Sequence, residues 1–325
     1  MARPTTDHEI HDEIPMRILL ALLLAFFSAL ALTSCDTAHA MRVELSPAAG
    51  ASGQYEISIR QEISQKAMGQ SIDSRNTMTY GWTQTVGESD GNAIVIDVTY
   101  DWVKADLELP PPAQSIRFDS RKPSEPSPQT AGFVAIVGKG FKVRVTPTGE
   151  ILSVEGIREM LDAMLAEMQT DSNMLDAMRE SLKRQFGDES LKEMMQPFMT
   201  IYPPGEVSVG DTWTRQHVVN TMYPHVQDNT YELLEENKGL LKVAVDSKIR
   251  SKDEGSVVDM GMMKFDFTMD GTQKGTLTLD PANGGLVQGS RLESNLKGSM
   301  KVIGQDAMEP WPITIHQVMS YVRVN

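Results

Sequence analysis

A single thiol, a run of thioethers and two imidazoles are the side chains here whose types and spacing point to chemistry. Cys35 is the only cysteine, so disulfides and thiolate metal sites are excluded and its sulfur is left as a nucleophile for modification. Methionine is abundant at 21 residues, and Met160, Met164 and Met168 recur one helical turn apart. Thioethers select Cu(I), but Leu161, Leu165, Leu175 and Leu182 interleave with this stripe, and a metal site would not need them. The pattern reads instead as gap-filling packing, or as an adaptable apolar groove lined by Met160, Met164, Met168, Met174, Met178, Phe186 and Met194. His217 and His225 lie near Asp211 and Asp228 without a His-Glu-x-x-His or paired-histidine helix, and both are expected to be solvated. Ser294-Asn295-Leu296-Lys297 spells Ser-x-x-Lys in an extended segment, where no helix start aims the two groups. No catalytic residue, metal ligand or cofactor is assigned, and the expectation is a protein that is not an enzyme.

The start of the chain speaks to location. Met16-Arg17 precedes an apolar run, 18–32, that is too short to span a membrane and reads as a secretory signal over 16–34. Residues 1–15, with Asp7, Glu9, Asp12 and Glu13 against Arg3, read as an extension ahead of the true start. Leu32-Thr33-Ser34-Cys35 resembles the lipobox at which a bacterial signal is cut and the cysteine diacylated. Two acyl chains anchor stably because each buried methylene contributes about 0.8 kcal/mol. Residues 35–45 would be the acylated cysteine and a short tether, placing the domain on a membrane and facing periplasm or exterior. The alternative is cleavage after Ala38-His39-Ala40, which releases a soluble protein. A net charge of −14 repels phosphate backbones, so nucleic acid is not an expected partner.

Residues 46–325 read as one β-rich domain: a first β half over 46–153, a helical insertion over 154–199, and a second β half over 200–325. Tyr55, Ile57, Ile59 and Ile63 alternate with Glu56, Ser58, Arg60 and Glu62, the period of a half-buried strand. Ile94 to Trp102, Leu241 to Val245 and Phe265 to Met269 alternate in the same way, and 133–137 reads as another short strand. In the insertion, Ile157, Met160, Leu161, Met164 and Leu165 form one helical stripe, and Pro197 is expected to stop the last helix. The halves align turn for turn, Glu88–Gly91 on Asn237–Gly239 and Pro147–Gly149 on Pro281–Gly284. The expected fold is α+β: a large curved antiparallel sheet from two duplicated β-meanders, with the helical insertion packed on its concave face.

Phe118-Asp119-Ser120, Val145 to Ile151 with Val154-Glu155-Gly156, and Tyr202-Pro203 through Val209-Gly210-Asp211-Thr212-Trp213 together resemble an uncharacterised family, a domain of unknown function, of secreted bacterial lipoproteins. The resemblance implies an envelope β-rich domain with a helical insertion, and it brings no catalytic residues. Function is then expected to be binding of a hydrophobic ligand or an envelope partner. A scaffold with a filled core is the alternative, and a hydrolase or a methionine-based copper binder ranks below both.

Overall fold

The computed structural model describes residues 40–67, 69–110, 114–122, 130–166, 179, 187–220, 224–252, 257–259, 264–304 and 309–324. All belong to one compact unit, Ala40–Asn325. The short β1 (Met41–Arg42) leads into a meander of β2 (Ser52–Ala67), β3 (Gln70–Ser89) and β4 (Ile94–Glu108). A side strand β5 (Ile116–Asp119), helix α1 (Ala131–Ile136), β6 (Gly140–Val145) and β7 (Ile151–Glu155) complete the first half. Helices α2 (Ile157–Ala166) and α3 (Asp188–Met199) and the short β8 (Glu206–Val207) precede the second half. That half runs through β9 (Thr212–Val219), β10 (His225–Asn237), β11 (Leu240–Ser251), β12 (Val257–Asp259), β13 (Lys264–Asp280), β14 (Leu286–Val302) and β15 (Trp311–Arg323).

Thirteen of these strands form one antiparallel sheet, in the order β7-β6-β4-β3-β2-β15-β14-β13-β11-β10-β9, with β5 beside β4 and β12 beside β13. The first meander therefore works outward from the centre to the β7 edge. The second starts at the β9 edge and works back until β15 pairs with β2, Met319 opposite Ile59. Strands take 64% of the described residues and helices 13%, so the fold is mostly β and the α+β expectation is corrected. The described helices pack on the larger inner-face cluster, through Ile157 and Leu161 of α2 and through Leu191, Met195 and Met199 of α3. Helix α3 lies against both edge strands, β7 and β9, which do not pair with each other. Residues 133–137, expected as a strand, belong largely to α1, where Phe133 stacks on Phe118 with ring centroids 5.8 Å apart. Pro197 lies inside α3, two residues before its end at Met199; it removes one intrahelical hydrogen bond there, and its ring is buried.

Unpaired edges present raw backbone groups that must find partners. Side chains of α3 supply them at β7. Gln196 Oε1 accepts from Ile151 N at 3.0 Å, and Lys192 Nζ donates to the Leu152 carbonyl at 3.2 Å. On the other flank Glu193 accepts from Asn220 N at 2.8 Å and from its Nδ2 at 3.1 Å, just past β9. Among the described residues no helix is long and apolar enough to cross a membrane.

The strand period of two puts odd-numbered residues of β2, β9, β10, β11, β13 and β15 on the inner face. Two apolar clusters form there. The larger joins Val43 and Leu45 to Ile96, Val143, Ile157, Tyr202, Trp213, Leu233, Val243 and Leu279, with Met160 and Met195 packed against it. The smaller gathers Ile249, Phe267, Met269, Ile313 and Ile315. Strands β13 and β14 approach closely at Gly275 of β13, where a Cβ would run into the carbonyl oxygen of Arg291. A side chain there would force the two strands apart. Gly275→Ala is expected to lower stability by about 1–3 kcal/mol, the usual magnitude of overpacking, read as a shift in the urea midpoint.

Candidate functional site

Polar residues interrupt the inner-facing apolar runs, and the strand register brings one from each of eight strands into line. Arg215 on β9 lies opposite Asn229 on β10, and Asn229 opposite Ser247 on β11. Ser247 faces Gln273 on β13, which faces Ser294 on β14. The row continues from Ser294 to Gln317 on β15, to Gln61 on β2 and to Asn76 on β3. Directly opposed residues hold their Cβ atoms about 5 Å apart, so the eight side chains make a continuous polar belt. The larger apolar cluster lies on one side of it and the smaller on the other.

Much of the belt bonds to itself. Gln61 Nε2 donates to Gln317 Oε1 at 2.7 Å, and Gln273 Nε2 to Ser294 Oγ at 3.0 Å. Gln227, one position further along β10, donates to Asn229 Oδ1 at 2.9 Å and to Gln273 Oε1 at 3.3 Å. Asn229 Nδ2 donates to the Tyr231 hydroxyl at 3.1 Å, and that ring stacks on Trp213 at 5.5 Å. Burial pushes the Tyr231 phenol up to about 12, so it stays protonated.

Five buried side-chain atoms have no hydrogen-bond partner among the described residues: Asn76 Oδ1, Ser247 Oγ and His217 Nε2 in or beside the belt, and Trp82 Nε1 and Gln288 Nε2 away from it. Ser247 is 0% exposed and His217, opposite Gln227, is 8% exposed. An orphaned buried polar group costs about 1–3 kcal/mol, so the belt keeps hydrogen-bonding capacity at a net loss of stability. His217 was expected to be solvated. It is buried because position 217 shares the inner phase of β9 with Trp213 and Val219. Its imidazole pKa is lowered, first by burial and then by the Arg215 charge.

The other residues picked out in the sequence are dispersed. His225 is half-buried at the start of β10. Ser294 points inward while Lys297 is exposed on the opposite face, so Ser-x-x-Lys is not a unit. Asp211 caps a turn by accepting from Ser208 N at 2.8 Å. Met160 and Met194 are half-buried, on α2 and α3. Cys35, Met168, Met174, Met178, Phe186 and the Met164 side chain lie outside the described residues. The belt itself went unread, although its signal was present. Tyr55-Ile57-Ile59-Gln61-Ile63 and Val243-Val245-Ser247-Ile249 each carry one polar residue in the apolar phase.

The family of unknown function DUF6263 matches residues 90–286. The chain belongs to that family. No curated protein matches it. Among solved structures it is similar to one described as lipid–protein interactions in lipovitellin, at 10% identity and TM-score 0.45, over 86% of this chain and 26% of that one. The chain thus spans about a quarter of that lipovitellin chain. It also aligns with the translocator domain of the autotransporter NalP from Neisseria meningitidis, at 7% identity and TM-score 0.23, over 94% and 98% of the two chains. A third alignment is with OmpF of Salmonella typhi in complex with daunomycin, at 7% identity and TM-score 0.24, over 86% and 99%.

Two measurements follow from the DUF6263 belt. Ser247→Ala removes a hydroxyl that nothing satisfies and is expected to raise stability by about 1 kcal/mol in urea unfolding; a loss of that size would mean the hydroxyl is bonded. His217, with its folded pKa held below 6.5, stabilises the fold fully above that pH. That contribution is lost as the pH falls from 6.5 toward the folded value, because the unfolded chain takes up the proton first. His217→Gln is expected to flatten the fall in the denaturation midpoint between about pH 7.5 and about pH 5.5. An unchanged slope would show that the imidazole accepts its proton inside the fold.

Proposed function

We propose that this DUF6263 protein is a non-enzymatic, lipid-anchored component of the bacterial cell envelope that holds an amphipathic, mostly apolar ligand against the inner face of its sheet. The observation that carries this is the polar belt set between two apolar clusters, with Asn76, Ser247 and His217 holding unpaired buried atoms. A core built only to be filled has no reason to hold unpaired polar atoms at a cost in stability. A ligand with one polar group and apolar flanks would restore those hydrogen bonds and cover the clusters on either side.

Anchoring rests on Cys35 at the end of the Leu32-Thr33-Ser34 signal. The membrane is the partner through its diacylglyceryl group, and Ala40 opens the compact unit a few residues later. Met160 of α2, packed against the larger cluster, and Met194 of α3, the helix that accompanies the β7 and β9 edges, are suited to the rim of such a site because thioether side chains re-pack around varied shapes.

Protein purified without detergent and examined by native mass spectrometry is expected to carry one bound apolar molecule. A clean apo mass from every preparation would instead favour a scaffold with a filled interior. Cys35→Ala is expected to abolish labelled palmitate incorporation and move the protein to the soluble fraction. Continued membrane retention of that variant would defeat the anchor.

A further inference from the structure

Charge is sharply partitioned across this sheet. The chain carries 44 acidic residues, yet the inner-facing positions of β9, β10, β11, β13, β14, β15, β2 and β3 include neither Asp nor Glu. The carboxylates of these strands sit on the outer face, where pairs such as Lys274–Asp246 at 2.9 Å lie exposed. Arg215 is the cation of the belt. It is half-buried, and its Nη2 and Nη1 donate to the carbonyl oxygens of Tyr202 at 2.7 Å and Thr214 at 3.3 Å. No carboxylate lies within ion-pair distance of it among the described residues. Burial without a counter-charge penalises a cation, and a guanidinium does not escape by losing its proton.

Uncharged donors and acceptors surround this charge. Asn229 lies directly opposite on β10, with Ser247 next on β11, and His217 and Gln227 form a pair one step further along the same strands. Ser247 Oγ and His217 Nε2 are both more than nine-tenths buried and unpartnered. The smaller apolar cluster begins one strand over, at Ile249 opposite Gln227.

On the basis of the ligand-binding reading above, we propose that the head group held by the belt is an anion, a carboxylate or phosphate monoester on an aliphatic chain, and that Arg215 receives it. The guanidinium fork matches both oxyanions, and the adjoining hydroxyl, amide and imidazole groups supply further hydrogen bonds. The aliphatic chain lies along the neighbouring apolar cluster. The acidic outer surface contributes nothing to capture, so recognition is confined to the interior.

Full-length protein stripped of co-purified lipid would be titrated with palmitate, hexadecyl phosphate, hexadecanol and inorganic phosphate. Both anionic amphiphiles are expected to bind at least about tenfold more tightly than hexadecanol, a preference that Arg215→Gln removes and Arg215→Lys partly keeps. Hexadecanol binding as well as palmitate, or a preference that survives Arg215→Gln, would overturn the proposal while leaving a ligand-binding interior intact. Failure of all three alkyl probes would instead overturn the ligand-binding reading itself. Inorganic phosphate protecting against thermal unfolding as strongly as hexadecyl phosphate would reduce the site to a simple anion pocket, again against the proposal. Should Arg215→Gln not fold by circular dichroism, the ranking of the four probes on the parent protein decides alone.

Discussion

The pairing of β2 with β15 is the contact on which everything else depends. It joins strands from the two ends of the described unit, matching Tyr55 to Arg323 and Gln65 to Ile313, and makes one sheet of two meanders. It also fixes whether the polar belt exists at all, because Gln61 meets Gln317 only in this register. A slip of one residue would carry the whole inner set of β15 to the outside. The cost of this arrangement is kinetic: the last strand must arrive before the centre of the sheet is complete, and long-range strand pairing closes slowly.

Joining the meanders at their inner strands leaves two outer edges, and the fold handles them without further strands. Helix α3 lies against both, and its Lys192, Glu193 and Gln196 bond to groups at or beside each edge. Trp213 and Arg215 reinforce the β9 side by donating to the carbonyls of Ile201 and Tyr202 at 2.9 and 2.7 Å. The same Arg215 that ties down this segment is the charge at the end of the belt. Edge protection and the candidate site therefore share a residue.

The interior is organised by polarity along the strands as well as across the sheet. Apolar rows above and below the belt bury large side chains such as Tyr231, Leu279 and Phe267, which hold the sheet and the segments packed on it together. Aromatic contacts among Tyr55, Trp82, Tyr100 and Tyr321, with centroids 5.2 to 6.2 Å apart, line the part of the inner face nearest β2. Burial raises these phenols, Tyr100 to about 12, so they act as uncharged walls. Trp82 Nε1 is an unpartnered donor within this wall, whereas the belt sets several uncharged donors and acceptors side by side.

Strands were legible in the sequence because a half-buried strand writes its period of two directly into residue order, as in Tyr55-Ile57-Ile59 and Leu241-Val243-Val245. Turns were legible for a similar local reason: Asn237-Lys238-Gly239 announces its left-handed backbone, with Lys238 at φ 53° and Gly239 at φ 80°. The short α1 was misread because Phe133 to Val137 is too brief for a helical period to stand out from an apolar run. The balance between α+β and mostly β was misjudged because a helical stripe declares a helix but not how small a share of the fold it takes. The belt could not be found in one dimension. Single polar breaks at Gln61, Asn76, Ser247, Gln273 and Gln317 look like noise on separate strands, and only strand register across some 250 residues of chain turns them into neighbours. Periodicity is local and survives in the linear order of residues; alignment between strands is a property of the folded sheet alone.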